Sequence, residues 1–291
     1  MSSPSVRRRG LGELGRFLEI QTLGLNVPFA LAFVFVAAAG VPRLVPFALV
    51  IVAFVAARNA GHAFNRWADR IYDAANPRTA TRALPSGRLS NRFALTTTAL
   101  SAAVVVLAAW LLNPLALVLA PVALLLIFGY SYTKRVSSLS TPFLGLVQAI
   151  TPAAAFVALD GDLPSAVWLA VGGVFAWGTA FETVHSLGDL DSDRELGLRS
   201  LPVRLGVRWS VRVVAVLHGV ALVLLAVFGY LQSLRLPYFL ALAAIAVGVV
   251  FTDRRLASQP TDVRTPFRRH FLFAGAFLVG IMVAVFVPWP G

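Results

Sequence analysis

Residues 44–73 read LVPFALVIVAFVAARNAGHAFNRWADRIYD, and this stretch decides the fold. The run over 44–64 is mostly apolar and long enough for a membrane helix, which needs about 20 residues to cross the bilayer core. Asn65, Asp69 and Asp73 follow at intervals of four residues. Because residues four apart lie on one face of a helix, the stretch predicts a membrane helix that ends in a row of oxygen ligands.

A second acidic cluster follows the apolar run over 164–187. It contains Asp189, Asp191 and Asp193, and its outer pair has the same spacing. Carboxylates are costly beside a bilayer and mark functional sites there. Their oxygens suit hard cations such as Mg2+, whose remaining ligands often come from substrate phosphates. The predicted metal ligands of the two clusters are Asn65, Asp69, Asp73, Asp189 and Asp193.

Basic residues surround both clusters. Guanidinium groups bind phosphate oxygens through two parallel hydrogen bonds, and a lysine binds them as a point charge. Carboxylates beside such cations therefore predict a diphosphate site. A topology anchor is the alternative interpretation of Lys134, and a solvated helix end is the alternative for the first cluster. The predicted diphosphate-binding residues are Arg70, Arg78, Arg82, Lys134, Arg194 and Arg199.

The composition is that of a membrane protein with several spans. Of the 291 residues, 58% are hydrophobic and 13% charged, and the mean hydropathy is +0.79, which excludes an ordinary soluble domain. The absence of cysteine excludes disulfides, thiolate zinc sites and a thiol nucleophile. The net charge of +12 comes from loops that flank apolar runs, so we expect the lipid bilayer as a partner and no nucleic acid.

Nine apolar runs predict an all-α membrane protein with nine transmembrane helices. Of 25 Lys and Arg, only Arg43 and Arg235 fall in links on the side opposite the acidic clusters. This bias places the clusters and the N-terminal segment 1–20 in the cytoplasm and the C-terminus outside. We expect one domain over 1–291, in the plasma membrane. The predicted spans are 23–41, 44–64, 93–112, 114–132, 142–159, 164–187, 209–230, 236–252 and 270–288.

A short internal repeat relates the two clusters. The first D-x3-D is followed by Pro-Arg-Thr at 77–79, and the second, about 120 residues later, by Leu-Arg-Ser at 198–200. Internal repeats of membrane proteins often place equivalent segments around a shared cavity. We therefore expect the two clusters to face one site.

Polar residues extend both clusters back into the spans. Arg58 and His62 continue the first row, and a cation at the depth of Arg58 needs an anion, either a substrate carboxylate or Asp69. Glu182 and His185 continue the second row. Glu182 lies inside an apolar run and is predicted as a proton acceptor or, alternatively, as a buried partner of His185.

These motifs together resemble the UbiA-type intramembrane prenyltransferases. The likeness rests on Arg58, the N-x3-D-x3-D of 65–73, the segment R-T-x-x-R-x-L-P-S-G over 78–87 and the D-x3-D of 189–193. It covers essentially the whole chain. Within that superfamily it is greatest to the 4-hydroxybenzoate polyprenyltransferases, including the similar enzymes of alternative menaquinone routes.

The resemblance implies helices around a central cavity, a cytoplasmic cap formed by the helix 2–3 and 6–7 loops, and two Mg2+ ions. The implied reaction moves a polyprenyl group from its diphosphate to an aromatic acceptor, 4-hydroxybenzoate or a related phenolic acid, in ubiquinone or menaquinone biosynthesis. Two residues depart from the family pattern, since Glu182 stands where relatives often have Asp and His185 where Tyr is expected. The implied catalytic residues are Arg58, Asp69, Glu182 and Asp189.

Other functions remain open at the level of the sequence. Related enzymes use dihydroxynaphthoate, haem, a glycerol phosphate lipid or a phosphoribosyl sugar as the acceptor. A membrane transporter also carries acids within its spans, but here the acids lie at helix ends on one side. A CDP-alcohol phosphotransferase uses a single D-G-rich motif, which this sequence lacks. His218 and His270 have no sequence partners, and we expect them in the core or the interface.

Overall fold

The computed structural model describes residues 12–18, 23–77, 79–260 and 262–287. Within these ranges the chain is helical and contains no strand. The helices are α1 (12–17), α2 (Leu23–Ala37), α3 (Leu44–Ala68), α4 (Arg70–Ala75), α5 (Asn91–Leu112), α6 (Pro114–Val136), α7 (Ser140–Asp160), α8 (Val167–Leu187), α9 (Leu190–Glu195), α10 (Leu201–Leu231), α11 (Leu236–Ser258) and α12 (Arg264–Phe286).

Among the described residues, eight helices are long and apolar enough to cross a membrane: α3, α5, α6, α7, α8, α10, α11 and α12. They match eight of the nine predicted runs, as expected of an integral membrane protein. The remaining run, predicted at 23–41, contains α2. That helix has 15 residues and is shorter than the about 20 that a span requires, so the ninth span stays a prediction.

The turn between α5 and α6 has a simple local cause. Asn113 ends α5 and caps α6, because its side-chain oxygen accepts a hydrogen bond of 2.8 Å from the Ala116 amide. Pro114 occupies the first helical position, where its missing N–H costs nothing. The Asn113 amide group also donates to the Val157 carbonyl at 2.7 Å. Helices α5 and α6 therefore form a short hairpin, and its turn is tied to the end of α7.

The helices pack in two groups that α7 connects. In the first group α3, α5 and α6 meet through small residues such as Ala60 and Ala109. In the second, α2, α8, α10, α11 and α12 bury aromatic rings, including those of Phe33, Phe228 and Phe277. Helix α7 packs against α6 on one side and α8 on the other. The cytoplasmic ends predicted for α3 and α8 thus belong to different groups.

His218 and His270 lie in the core of the second group, as the sequence predicts. Their exposed fractions are 1% and 0%, and both rings pack against Trp177. The Nδ1 of His218 lies 3.0 Å from the Asp253 carboxylate. Asp253 is on the next helix, 35 residues along the chain, which is why sequence spacing did not reveal this partner.

Helix α1 packs beside the end of α3. Phe17 and Leu18 are buried against Ala63 and Leu84, and Arg58 donates a hydrogen bond of 2.8 Å to the Leu18 carbonyl. The segment just before the first apolar run is thus attached to the α3 helix that carries the first acidic cluster.

Helices α7 and α8 approach closely at Gly145. A methyl group added there would lie 2.6 Å from the Phe175 carbonyl oxygen and closer still to the Thr179 hydroxyl. Thr179 itself donates to the Phe175 carbonyl, so neither atom is free to move away. Small residues at such a crossing let two membrane helices approach at backbone distance. Gly145 therefore sets the position of α8.

We expect Gly145→Ala to destabilise the protein by about 1–3 kcal/mol, because the added methyl overpacks a backbone contact. Gly219→Ala in α10 is the matched control, since nothing lies within 4 Å of its added methyl. That control should be neutral or slightly stabilising, because alanine favours helix over glycine. Thermal unfolding in detergent measures both variants. Equal melting temperatures for the two would contradict the close α7–α8 contact.

Candidate active site at the ends of α3, α6 and α8

The two acidic clusters have the same local structure. Asp69 lies between α3 and the short helix α4, and Asp189 lies between α8 and the short helix α9. Their φ/ψ angles are −88°/5° and −107°/5°, near the bridge region that interrupts a helix. In each copy the amide four residues later donates to the first aspartate's carbonyl at 2.8 Å. The repeat seen in the sequence is thus a repeated helix break that buries Asp73 and Asp193.

Each carboxylate of the first cluster has a cationic or amide partner. The Asn65 amide donates to Asp69 Oδ2 at 2.8 Å, and Arg135 donates to Asp69 Oδ1 at 3.0 Å. Arg82 donates to Asp73 Oδ1 at 2.7 Å. Burial raises the pKa of Asp69 above its ordinary value, and Arg135 opposes this rise. Keeping this carboxylate ionised therefore costs free energy, and a bound cation would reduce that cost.

In the second cluster one aspartate faces inward and another faces solvent. Asp193 is buried, and its Oδ2 lies 3.8 Å from the Lys134 ammonium. Burial raises the pKa of Asp193, and the Lys134 ammonium opposes this rise. The Asp191 side chain is 96% exposed and has a 3.9 Å contact with Arg194. Asp191 is therefore in solvent, and the Arg194 side chain beside it is half exposed.

Lys134, at the end of α6, connects the two clusters. Its ammonium interacts electrostatically with Asp69 of the first cluster, with Asp189 and Asp193 of the second, and with Glu182. Its carbonyl accepts a hydrogen bond of 2.7 Å from the Arg199 amide. Charges of both clusters therefore act on Lys134, and a single site shared by the two clusters stays a prediction.

Glu182 lies on α8, about two turns before Asp189. The Tyr130 hydroxyl donates to its Oε1 at 3.0 Å, and His185 Nδ1 is 3.6 Å from its Oε2. The Glu182 side chain is 3% exposed, whereas that of His185 is 46% exposed. The carboxylate is thus buried behind its two partners, and the imidazole is the accessible member of the group.

The other predicted basic residues occupy varied positions. Arg70 donates to the Trp67 carbonyl at 2.7 Å and stacks on the Trp67 ring. Arg199 donates to the Val136 carbonyl at 2.9 Å. Arg78 lies outside the described residues. The structure thus brings Arg82 and Lys134 to the carboxylates and directs Arg70 and Arg199 to backbone carbonyls.

Two residues of this region had no assigned role at the sequence level. Arg135 bonds Asp69 and lies over the rings of Tyr72 and Tyr132, at 5.0 and 4.8 Å. Tyr130 bonds Glu182. Tyr130 precedes Lys134 by four residues on α6, so the helical spacing was the signal that could have revealed it.

The donor set suits a hard cation. In the described residues no three His, Asp or Glu side chains come close enough to form a complete metal site. The Oδ2 atoms of Asp73 and Asp193 are buried and have no hydrogen-bond partner. Magnesium usually takes one or two carboxylates from the protein and completes its shell with phosphate oxygens and water. The residues present therefore fit Mg2+ bound together with a diphosphate.

The comparison with known families agrees with this site. The model of the UbiA prenyltransferase family matches residues 26–281. This chain belongs to the UbiA family and is a prenyltransferase. The family assignment confirms the resemblance seen in the sequence.

Two relatives of similar length carry the same enzyme name. The chain is 33% identical to the 4-hydroxybenzoate octaprenyltransferase of Nitrosospira multiformis, over 76% of this chain and 75% of that protein. It is 30% identical to the enzyme of the same name from Psychromonas ingrahamii, over 94% and 96% of the two chains.

Solved structures share the fold. A UbiA homolog from Aeropyrum pernix K1, in its apo form, has a TM-score of 0.80 at 28% identity and covers 92% of this chain and 98% of its own. A UbiA homolog from Archaeoglobus fulgidus bound to GPP and Mg2+ has a TM-score of 0.72 at 18% identity, with coverage of 92% and 99%.

The contrast between Asp193 and Asp191 gives a matched test within one short helix. We expect Asp193→Asn to lower kcat/KM for prenyl transfer by about 10²-fold or more, because it removes a buried charge facing the site. Asp191→Asn should stay within about twofold of wild type, because its carboxylate is already in solvent. Steady-state kinetics with a prenyl diphosphate measure both. A similar loss in the two variants would place the site elsewhere.

Proposed function

We propose that this UbiA-family enzyme transfers a polyprenyl group from its diphosphate to 4-hydroxybenzoate or a related phenolic acid, in ubiquinone or menaquinone biosynthesis. The observation that carries the proposal is the meeting of both acidic clusters at Lys134, which suits a diphosphate bound with a metal. The acceptor is supported by the relatives named 4-hydroxybenzoate octaprenyltransferase. The Archaeoglobus fulgidus homolog bound to GPP and Mg2+ supports the metal and the diphosphate class.

In this proposal the two clusters hold the metal and the basic residues hold the diphosphate. Bound Mg2+, with two ions expected, supplies Lewis-acid neutralisation of the departing charge. Lys134 and Arg82 bind diphosphate oxygens, while Arg135 fixes the Asp69 carboxylate. Roles for Arg70, Arg78, Arg194 and Arg199 in holding the diphosphate belong to the same proposal. The proposed metal ligands are Asn65, Asp69, Asp73, Asp189 and Asp193.

The remaining chemistry takes place in an apolar space. As the diphosphate leaves, its C–O bond breaks and an allylic cation forms, which the ring carbon ortho to the phenol attacks. Water would trap that cation as an alcohol, so the reaction needs a dry cavity. The apolar helices that form the bundle supply such walls, and the long prenyl tail can extend into the lipid. The active-site loops and the N-terminus lie in the cytoplasm in this proposal, with the C-terminus outside the plasma membrane.

The direct test uses purified protein with Mg2+, isoprenyl diphosphates of several lengths and a panel of acceptors, read by product mass. We expect a product from 4-hydroxybenzoate that combines acceptor and prenyl group and lacks one hydrogen. EDTA should abolish its formation, and added Mg2+ should restore it. Asp69→Ala and Asp189→Ala should retain the fold in detergent and lose turnover. Products only from lipid or sugar acceptors would overturn the proposed acceptor.

Arg58 provides a separate test of the acceptor. We propose that it holds the acceptor carboxylate. In that role its guanidinium would give up the hydrogen bond to the Leu18 carbonyl and bind the charged carboxylate instead. Arg58→Gln should then raise KM for 4-hydroxybenzoate by about 10-fold or more, as expected for a charge-assisted hydrogen bond, with KM for the diphosphate unchanged. A fall in thermal stability with both KM values unchanged would instead make Arg58 an anchor for residues 12–18.

A further inference from the structure

The reaction proposed above releases one proton from the acceptor ring, and a group in the cavity has to take it. Glu182 is the obvious acidic residue in the span, but its position is unsuitable for contact with a substrate. Its side chain is 3% exposed, and its two oxygens face the Tyr130 hydroxyl and the His185 ring. A proton acceptor has to come within hydrogen-bond reach of the proton that it removes. Glu182 does not meet this condition while those partners are in place.

His185 is accessible for such a contact. Its side chain is 46% exposed although α8 is the most buried of the candidate spans, with 67% of its apolar window inside the protein. Its ring lies 6.4 Å from the ring of Phe267 on α12, and Glu182 links it to Tyr130 on α6. The imidazole thus faces an open region among α6, α8 and α12. It also lies about one helical turn before Asp189 in the chain, next to the proposed diphosphate end of the site.

The contact with Glu182 sets the orientation of the ring. Nδ1 lies 3.6 Å from the carboxylate, which is an ion-pair distance that a small movement would shorten to a hydrogen bond. In that arrangement Nδ1 carries the hydrogen, and Nε2, on the other side of the ring, presents its lone pair. A carboxylate behind an imidazole fixes its tautomer and stabilises the imidazolium that forms when Nε2 accepts a proton. Tyr130 in turn fixes the carboxylate.

We propose that His185 is the catalytic group that takes the ring proton, and that Glu182 and Tyr130 are positioning residues behind it. The inference rests on the proposed function. After C1 of the prenyl cation bonds to the ring carbon, the C–H bond at that carbon breaks. Its electron pair restores the aromatic ring, and the proton goes to His185 Nε2. The diphosphate has already left with the electron pair of the C–O bond, so the step needs no further reactant.

The sharpest test is a kinetic isotope effect with 4-hydroxybenzoate deuterated at both ring positions ortho to the hydroxyl. In the wild type we expect an effect near one on kcat, because proton loss follows the difficult ionisation quickly. In His185→Gln, which keeps a polar side chain but accepts no proton at neutral pH, kcat should fall by about 10²-fold. The isotope effect should rise to about two or more, since C–H cleavage becomes slow. KM for the diphosphate should be unchanged.

Variants of the supporting residues separate catalysis from packing. Glu182→Gln removes the charge that stabilises the imidazolium and should lower kcat with a raised isotope effect. Tyr130→Phe removes only the second hydrogen bond and should have a smaller effect of the same kind. His185→Phe keeps a ring beside Phe267, so its thermal stability and its Mg2+-dependent binding of diphosphate report whether the fold is intact. A merely structural role would lower stability in these variants without raising the isotope effect.

The outcomes separate the two proposals. A wild-type enzyme that forms no prenylated aromatic product refutes the proposed function. A wild-type enzyme that forms it, with His185→Gln retaining normal kcat and an isotope effect near one, refutes the role of His185 alone. A raised isotope effect in His185→Gln, with diphosphate binding intact, supports both.

Discussion

The rest of the site depends on one electrostatic constraint, which is that a lysine at the end of α6 balances carboxylates from both halves of the bundle. Ionised groups beside the membrane are costly unless they are paired, and Lys134 interacts with Asp69, Glu182, Asp189 and Asp193. A single cation cannot neutralise four carboxylates. The arrangement therefore favours further cations, and Arg135 and Arg82 supply part of that charge in the first cluster. The carboxylates would repel a diphosphate on its own, whereas a diphosphate bound with metal would complete the charge balance of the site.

The repeated helix break gives the carboxylates their direction. The backbone of Asp69, with φ/ψ of −88°/5°, interrupts the helix between α3 and α4. The same change occurs at Asp189 between α8 and α9. The second aspartate of each motif thus becomes buried next to a cation, Arg82 for Asp73 and Lys134 for Asp193. The middle acid of the second cluster, Asp191, is instead exposed to solvent.

The sequence was informative where the signal is local, namely helical spacing or the free-energy cost of placing a charge beside the membrane. Eight spans and the two acidic clusters at the ends of α3 and α8 follow from local patterns. It was less informative where a contact joins distant segments. Arg135 and Asp69 are 66 residues apart, and Tyr130 and Glu182 are 52 apart. No periodicity distinguishes Arg135 from a topology anchor, and Arg70 lies next to Asp69 in the chain while its side chain turns to Trp67.

In the proposed reaction helix α8 joins the two halves of the chemistry, and it is also the most buried of the candidate spans. The helix carries Glu182 and His185, and it ends two residues before Asp189, a proposed metal ligand. The other candidate spans have 22% to 39% of their apolar windows inside the protein, against 67% for α8. Close packing on α7 at Gly145, together with α10 on another side, holds it at backbone distance. In the proposed reaction the proton acceptor lies on α8 and the leaving group binds beside Asp189, two residues after its end, so the backbone fixes the distance between the two.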